Sequence, residues 1–499
     1  MKLYGQSYIA GNWQNNQQGD TFNSFCPGTN EYLPAMFFEA TEAQVRRATA
    51  SADRAFKSYR RISNRQRAQF LSTIADEVTV LGDALIETTM LETNLPRQRL
   101  EGERARTIGQ LRAFAEVLEQ ELTPLNLNCV DEGDETRLPI AKPHTALTHI
   151  PIGVVAVFGA SNFPYAFSTL GGDTAAALAA GCPVIVKAHP AHPATNELMT
   201  KAIDKAIKQC GIPDGVFSML QGSQHPLSHQ LVKDPVVKAV GFTGSLAAAT
   251  ALLKTINDRK EPIPLYGELG SVNPQIVLTG QDAHQQSILA TQLVNSLVMG
   301  HGQFCTSPGI WFVPEEDIDF ERAAINAVEV AHSDTLLTTG ILQTYKKRTD
   351  MLRQHPNIAL VAQGTLSKQY HAAVQLYTCS ADDFVQHKLL QEEIFGPCAI
   401  VVKYRDEEAL VHAVEALDGQ LTASVYGSAD KLHEQAEIIE SLSYKVGRLI
   451  FNQAPTGVEV CMSMNHGGPF PSSTDVKSTS VGTRAILRFL RPLCIQGGI

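Results

Sequence analysis

The 499-residue chain contains no stretch of about 18 uncharged apolar residues, so no membrane-spanning helix is expected in it. It also lacks any block of Lys and Arg. With 41 basic against 51 acidic residues the formal charge is -10, which disfavours nucleic acid and other polyanionic partners. The opening residues, MKLYGQSYIAGNW, carry no apolar core of signal-peptide length, and the expectation is a cytoplasmic protein. None of the nine cysteines stands in C-x-x-C spacing. Their odd number and wide scatter argue against both a disulfide framework and a zinc site, leaving free thiols and no metal. Two phosphate-cradle signatures are missing as well: no G-x-G-x-x-G follows the first strand of the main sheet pattern, and no G-x-x-x-x-G-K-[ST] occurs.

What is present reads as an ordinary globular composition, 44% hydrophobic and 18% charged, in a chain too long for one core. Residues 7–33 read as short strands and turns. Thr41 with Gln44, and Ser63 with Gln66, have capping-box spacing ahead of amphipathic helices, and two more helices are expected near 82–93 and 97–121. From 123 to 149 helical periodicity fades among prolines, and alternation over 145–150 suggests an extended hairpin forming an excursion from the main body. From 153 onward strands and helices alternate: GVVAVFGA, a helix over 169–180, CPVIVKA, a helix over 194–210, VFSML, a short helix over 226–232, VVKAVGFTG, and a helix over 245–256. Strands apolar on both faces and separated by helices indicate a parallel, doubly wound sheet of nucleotide-binding type. IPLYGELG then leads into a second α/β unit, 262–465, with strands expected near 275–278, 309–313, 358–361, 398–403 and 448–451. The tail ends in a strand-like piece expected to pack on a partner subunit or on the excursion.

Several residues in this pattern could carry chemistry. Cys305, in GHGQFCTSP (300–308), sits between a long apolar helix broken by glycines and the strand-like Ile310 to Val313 run, outside any apolar segment where a thiol would merely fill space. Spacing alone does not make it reactive, since that needs a neighbouring base or positive field. Asn162, in SNFP (161–164), follows a strand at the carboxyl edge of the sheet, where an amide donates to an oxyanion or simply forms a turn. Lys187 ends CPVIVKA at the same edge, either solvated or bonded to a nucleotide. Gly244 and Ser245 stand at a strand-to-helix turn that is a plain N-cap or a pyrophosphate seat. Glu268 ends a strand between two glycines, where burial of its carboxylate would be costly unless paired or functional. Glu393 and Phe395, in EEIFGP (392–397), read alone as a helix-end charge and a core ring. His189 and His192 suggest metal at a glance, yet each adjoins a proline and no third ligand is near.

Taken in order, SNFP (161–164), VIVKA (184–188), FTGS (242–245), ELGSVNP (268–274), GQFCT (302–306), EEIFGP (392–397) and TRAILRFLRP (483–492) resemble the aldehyde dehydrogenase superfamily over nearly the whole chain. The segments FGASNFPYAFSTLGGDTAAALAAGCPVIVKAHPAHPAT, YGELGSVNP and GQFCTSPG are similar to the branch of α-ketoglutaric semialdehyde (2,5-dioxovalerate) dehydrogenases and an NADP-preferring fatty aldehyde dehydrogenase. That resemblance implies an α/β fold with two doubly wound domains: cofactor-binding (1–122 and 150–261) and catalytic (262–465), with oligomerisation segments at 123–149 and 466–499. It implies Cys305 as nucleophile, Asn162 and the Cys305 backbone N–H as oxyanion donors, and Glu268 as the base that activates water. For the dinucleotide it implies Lys187 at the adenosine ribose, Gly244 and Ser245 at the pyrophosphate, Glu393 at the nicotinamide ribose and Phe395 beside the nicotinamide.

Where NAD-preferring relatives often place a glutamate, three residues after the lysine, this chain has Pro190, which permits NADP. Relatives of the branch often have arginine where His225 aligns, so NADP is favoured over NAD only modestly. The expected reaction is oxidation of α-ketoglutaric semialdehyde to 2-oxoglutarate by a homodimer or homotetramer that needs neither nucleic acid nor membrane. The alternatives are long-chain aldehyde oxidation and acyl transfer to coenzyme A; Glu268 speaks against the second, since a thiol acceptor needs no water-activating base.

Overall fold

The computed structural model describes residues 2–14 and 19–497. Residues 1, 498 and 499, the outermost positions of the expected chain divisions, lie outside the described residues. Local sequence chemistry sets the first helices. Thr41 and Ser63 each accept from the backbone N–H three residues on, while Gln44 and Gln66 reach back, closing both capping boxes ahead of Glu42–Tyr59 and Asn64–Val80. Gly82–Thr93 and Arg97–Glu119 follow as helices.

Five strands form the parallel part of a seven-stranded sheet, in the spatial order Leu265–Glu268, Val237–Thr243, Val154–Phe158, Val184–Lys187 and Phe217–Leu220; Ser7–Ile9 and Asn12–Gln14 extend it antiparallel. Val154–Phe158, Val184–Lys187 and Phe217–Leu220 are buried throughout, as strands covered by helices on both faces must be. The register aligns their carboxyl ends: Thr243 lies opposite Glu268, Phe242 opposite Phe158, Phe158 opposite Lys187. Four chain segments therefore leave the sheet along one edge.

A second seven-stranded sheet runs Ala359–Gln363, Gln375–Ser380, Cys398–Tyr404, Ile310–Pro314, Gln275–Val277, Gln420–Tyr426 and Val446–Phe451, parallel except for its first pair. Leu490–Gln496 pairs antiparallel with Thr145–Pro151, which also pairs antiparallel with Cys129–Asp131. Among the described residues no helix is long and apolar enough to cross a membrane.

Two readings of the sequence are corrected. The helix expected over 169–180 begins at Gly172, after an extended Gly171, because residues 160–172 close a tight loop through Ala160 N to Phe167 O (2.8 Å) and Gly172 N to Ala166 O (2.9 Å). Gln375–Ser380 and Gln420–Tyr426 are strands that the apolar pattern did not reveal. Both are largely buried yet contain polar side chains with internal duties. Gln420 Oε1 accepts from Val272 N (2.7 Å) and from the Ser271 hydroxyl (2.9 Å), and Thr422 Oγ1 donates to Asn273 Oδ1 (2.9 Å). A strand whose polar groups are satisfied inside the fold looks, in sequence, like a surface segment.

Candidate active site

Cys305 is delivered by a sharp reversal after the helix Ala283–Val298. Gly300, His301 and Gly302 all have left-handed backbone (φ 56°, 57° and 70°), so the chain turns back within a few residues. At Gly302 no side chain fits, since a Cβ would lie 2.2 Å from the Gly396 carbonyl carbon. The Cys305 loop thereby rests directly on the EEIFGP segment. Asn273 fixes the loop from the other side, its Nδ2 donating to Cys305 O (2.8 Å) and Ser307 O (2.9 Å). Asn162 Nδ2 donates to Gln303 O (2.8 Å), which ties the amide to the Cys305 loop, and among the described residues its second N–H has no partner.

The thiol faces a buried acid and a buried imidazole. His466 Nε2 is 2.7 Å from Glu268 Oε1 and 3.3 Å from Cys305 Sγ, and Ser480 Oγ donates to Glu268 Oε2 at 2.6 Å. One ligand-type atom from each of Glu268, Cys305 and His466 lies within 4.8 Å of the others. A contact this short to a carboxylate assigns the hydrogen to Nε2. Burial pushes the Glu268 carboxyl up, but His466, Ser480 and the Cys305 thiol outweigh it and hold the acid below its ordinary range. Burial, then the Glu268 charge, drives the Cys305 thiol well above its usual value. The resting pair is thus a carboxylate next to a protonated thiol, an arrangement in which the carboxylate can accept the thiol proton.

His466 was not legible in the sequence: it lies 161 residues from Cys305 and 198 from Glu268, in MNHGGP, with no local spacing to mark it. Asn273 and Ser480 were likewise unmarked as site residues.

Glu393 and Phe395 line one cavity with Ser271, Gly302 and Ser307, on the far side of the Cys305 loop. The Glu393 carboxylate presses on bare backbone: a Cβ at Gly270 would sit 2.1 Å from Glu393 Oε2. Burial raises its pKa to about 7, with a backbone bond to Ser271 opposing. Lys187 is buried at its strand end, its Nζ donating to Gly222 O at 2.6 Å, and burial lowers it to about 8. Gly244 N donates to Glu268 O at 3.1 Å, tying the phosphate-type turn to the acid's strand, while exposed Ser245 caps the helix Leu246–Asn257. His225 opens the helix His225–Lys233 and is exposed. His189 and His192, which follow Lys187 in the chain, stack on each other with ring centroids 5.4 Å apart, His192 buried and His189 half-buried.

The donors suit a dinucleotide. A buried ammonium with a single carbonyl partner, a glycine turn at a helix start, and a carboxylate over a bare glycine backbone lie along the sheet edge and the adjoining cavity.

Comparison with known proteins gives a consistent outcome. Residues 13–490 match the Aldehyde dehydrogenase family. The chain is 42% identical over 500 residues to α-ketoglutaric semialdehyde dehydrogenase 2 of Azospirillum brasilense, covering 99% of this chain and 95% of that protein. It is also 42% identical over 473 residues to α-ketoglutaric semialdehyde dehydrogenase of Acinetobacter baylyi, covering 93% and 89%. Among solved structures, a point mutant of betaine aldehyde dehydrogenase from Staphylococcus aureus in complex with NAD+ superposes with a TM-score of 0.84 at 20% identity, over 99% and 97% of the two chains. A 3,6-anhydro-L-galactose dehydrogenase in complex with NADP gives 0.83 at 21%, over 99% of each.

Proposed function

The chain belongs to the aldehyde dehydrogenase family, enzymes that oxidise aldehydes to carboxylic acids with NAD(P), and from that premise we propose that its own aldehyde is α-ketoglutaric semialdehyde, converted to 2-oxoglutarate. The observation that carries this reading is the 42% identity along 99% of the chain to the Azospirillum brasilense enzyme of that name. The arrangement of Glu268 against Cys305 supports the chemistry.

In the proposed mechanism Glu268 takes the Cys305 proton, and the His466 Nε2–H, 3.3 Å from Sγ, stabilises the thiolate as it forms. The sulfur adds to the carbonyl carbon to give a hemithioacetal, whose oxyanion is met by the free Asn162 N–H and the backbone N–H of Cys305. Lys187, Gly244, Ser245, Glu393 and Phe395 would hold the dinucleotide, which would supply the two-electron acceptor for the aldehyde hydrogen. After Glu268 has released the thiol proton to solvent, it takes a proton from the water that attacks the thioester, and the carboxylic acid departs as Cys305 leaves as a thiolate.

Cofactor choice is balanced. Pro190 leaves room for a 2′-phosphate, and His225 stands where relatives of the branch often have arginine, which together favour NADP modestly. Glu39 opposes this: its carboxylate accepts from Ser223 N at 3.0 Å, adjoins Gly222, and acts electrostatically on Lys187. It can serve the role of the glutamate missing at 190. We therefore propose use of both dinucleotides with a modest NADP preference. The excursion at 123–149 and the strand Leu490–Gln496 are proposed as the homo-oligomer contact, in a cytoplasmic enzyme, whereas His466 and Ser480 make residues 466–489 part of the catalytic unit.

A panel of α-ketoglutaric semialdehyde, pentanal and a long-chain aldehyde, each with NAD and NADP, tests the substrate. Cys305→Ala is expected to abolish oxidation while retaining cofactor binding, and Glu268→Gln to slow thioester hydrolysis more than the first burst of reduced cofactor. Near-normal turnover of Cys305→Ala refutes the chemistry.

A further inference from the structure

The helix Arg97–Glu119 presents Arg99, Glu103, Arg106 and Gln110 along one stripe, at spacings of four, three and four residues. Glu103 is fully engaged. Its Oε1 accepts from Tyr165 N (2.8 Å) and Ala166 N (2.9 Å) in the loop after Asn162, and its Oε2 pairs with Arg99. Arg99 is engaged too: it lies over the rings of Phe163 (4.5 Å) and Phe304 (5.2 Å), and its Nη2 donates to Asn162 O at 3.0 Å.

Arg106 differs from both. Among the described residues it has no carboxylate within 4.0 Å, its Nε makes one long bond to Val458 O (3.4 Å), and its Nη1 is buried without any acceptor. The guanidinium lies over the Phe167 ring at 5.2 Å, and that ring is 6.1 Å from the His466 ring. Around it Phe163, Phe167, Val458, Val460 and Met464 form a small apolar cluster. Glu103 acts on it most strongly through space, and its charge also reaches the reacting groups Cys305 and Glu268. An unpaired cation in an apolar wall is costly and is tolerated where an anion is brought to it. Arg448, whose charge also reaches Cys305, uses both terminal nitrogens, donating to Gly457 O (3.0 Å) and Pro455 O (2.6 Å), and only its Nε is buried without a partner.

We propose that Arg106 is the substrate-binding residue that receives the carboxylate of an acidic semialdehyde, setting the enzyme's preference for a short aldehyde with a negative charge at its far end. The inference rests on the substrate reading above and names the group that would enforce it. A planar guanidinium suits a planar 2-oxo acid terminus, which offers two or three oxygens in one plane. The Phe167 face holds the guanidinium in orientation, and the apolar cluster covers the methylene chain between the carboxylate and the carbonyl bound at Cys305.

The test compares kcat/KM for α-ketoglutaric semialdehyde and for pentanal, an uncharged aldehyde of equal carbon count, in wild type, Arg106→Met and Arg106→Lys. For Arg106→Met the ratio of the two values is expected to fall by roughly 30- to 100-fold, the effect of losing a charge-assisted bidentate contact, and the loss should appear in KM. Arg106→Lys should recover part of it, because the charge returns without the fork. Glutarate, a dicarboxylate with no aldehyde, should inhibit wild type competitively and Arg106→Met much more weakly. If both substrates lose activity equally, or if the ratio and glutarate inhibition are unchanged in folded variants, Arg106 does not bind the carboxylate and the proposal is overturned. If wild type itself prefers pentanal or a long-chain aldehyde, the substrate reading fails first, independently of the variants.

Discussion

Replacing His466 by Phe isolates what the imidazole does. The ring keeps its place near Phe167, so the packing cost is small, while the Nε2–H donor to Glu268 Oε1 (2.7 Å) and to the sulfur (3.3 Å) is removed. Glu268 is buried and ionised because His466, Ser480 and the thiol together overcome its desolvation. Deleting one hydrogen bond to a buried charged group costs about 1.5–3 kcal/mol, and a pKa unit corresponds to about 1.4 kcal/mol, so the carboxyl should rise by roughly one to two units. A base must be deprotonated to act. The acid limb of kcat/KM against pH should therefore move up by the same one to two units, with activity largely regained at alkaline pH. The alkylation rate of Cys305 by iodoacetamide, followed by mass spectrometry, should shift in parallel. Stability follows with the same sign: a depressed carboxyl contributes stability above its unfolded value and loses it as pH falls through the folded one, so the variant should unfold at higher pH on acidification. A folded His466→Phe enzyme with a pH profile superimposable on wild type refutes the role assigned to this histidine.

Two further outcomes follow from charged groups at the cofactor side. Glu393 has its folded pKa raised to about 7 from 4.5, so it costs stability as pH rises through that window, by at most about 3 kcal/mol; Glu393→Gln should raise the Tm of the cofactor-free protein above pH 7 and not at acid pH, and should raise KM for the dinucleotide. Glu39→Gln removes the carboxylate beside Ser223, and the ratio of kcat/KM for NADP over NAD should rise about tenfold; no change would detach Glu39 from cofactor choice.

How much of this was legible in sequence depended on how local each signal is. Both capping boxes, the five parallel strands and the loops carrying Asn162, Glu268 and Cys305 announce themselves within a few residues, through turn chemistry and apolar runs. The strand Gln420–Tyr426 did not, because its Gln420 and Thr422 are polar for the sake of Ser271, Val272 and Asn273, nearly 150 residues earlier in the chain. His466 and Arg106 were silent for the same reason: a histidine before two glycines and an arginine on an amphipathic helix look like countless others until tertiary contacts place one at the thiol and leave the other unpaired. The helix expected to begin at 169 begins at Gly172, since the loop that presents Asn162 consumes the residues between.

The clamp on the acid lies far downstream of the nucleophile it serves, 161 residues beyond it. A ribosome builds from the amino end, so the nascent polypeptide carries its sulfur as an ordinary thiol, without the imidazole and hydroxyl that keep the neighbouring carboxylate charged. The carboxylate gains the partners that keep it charged only once residues 466–480 dock, so the order in which the chain is made places the thiol before its clamp.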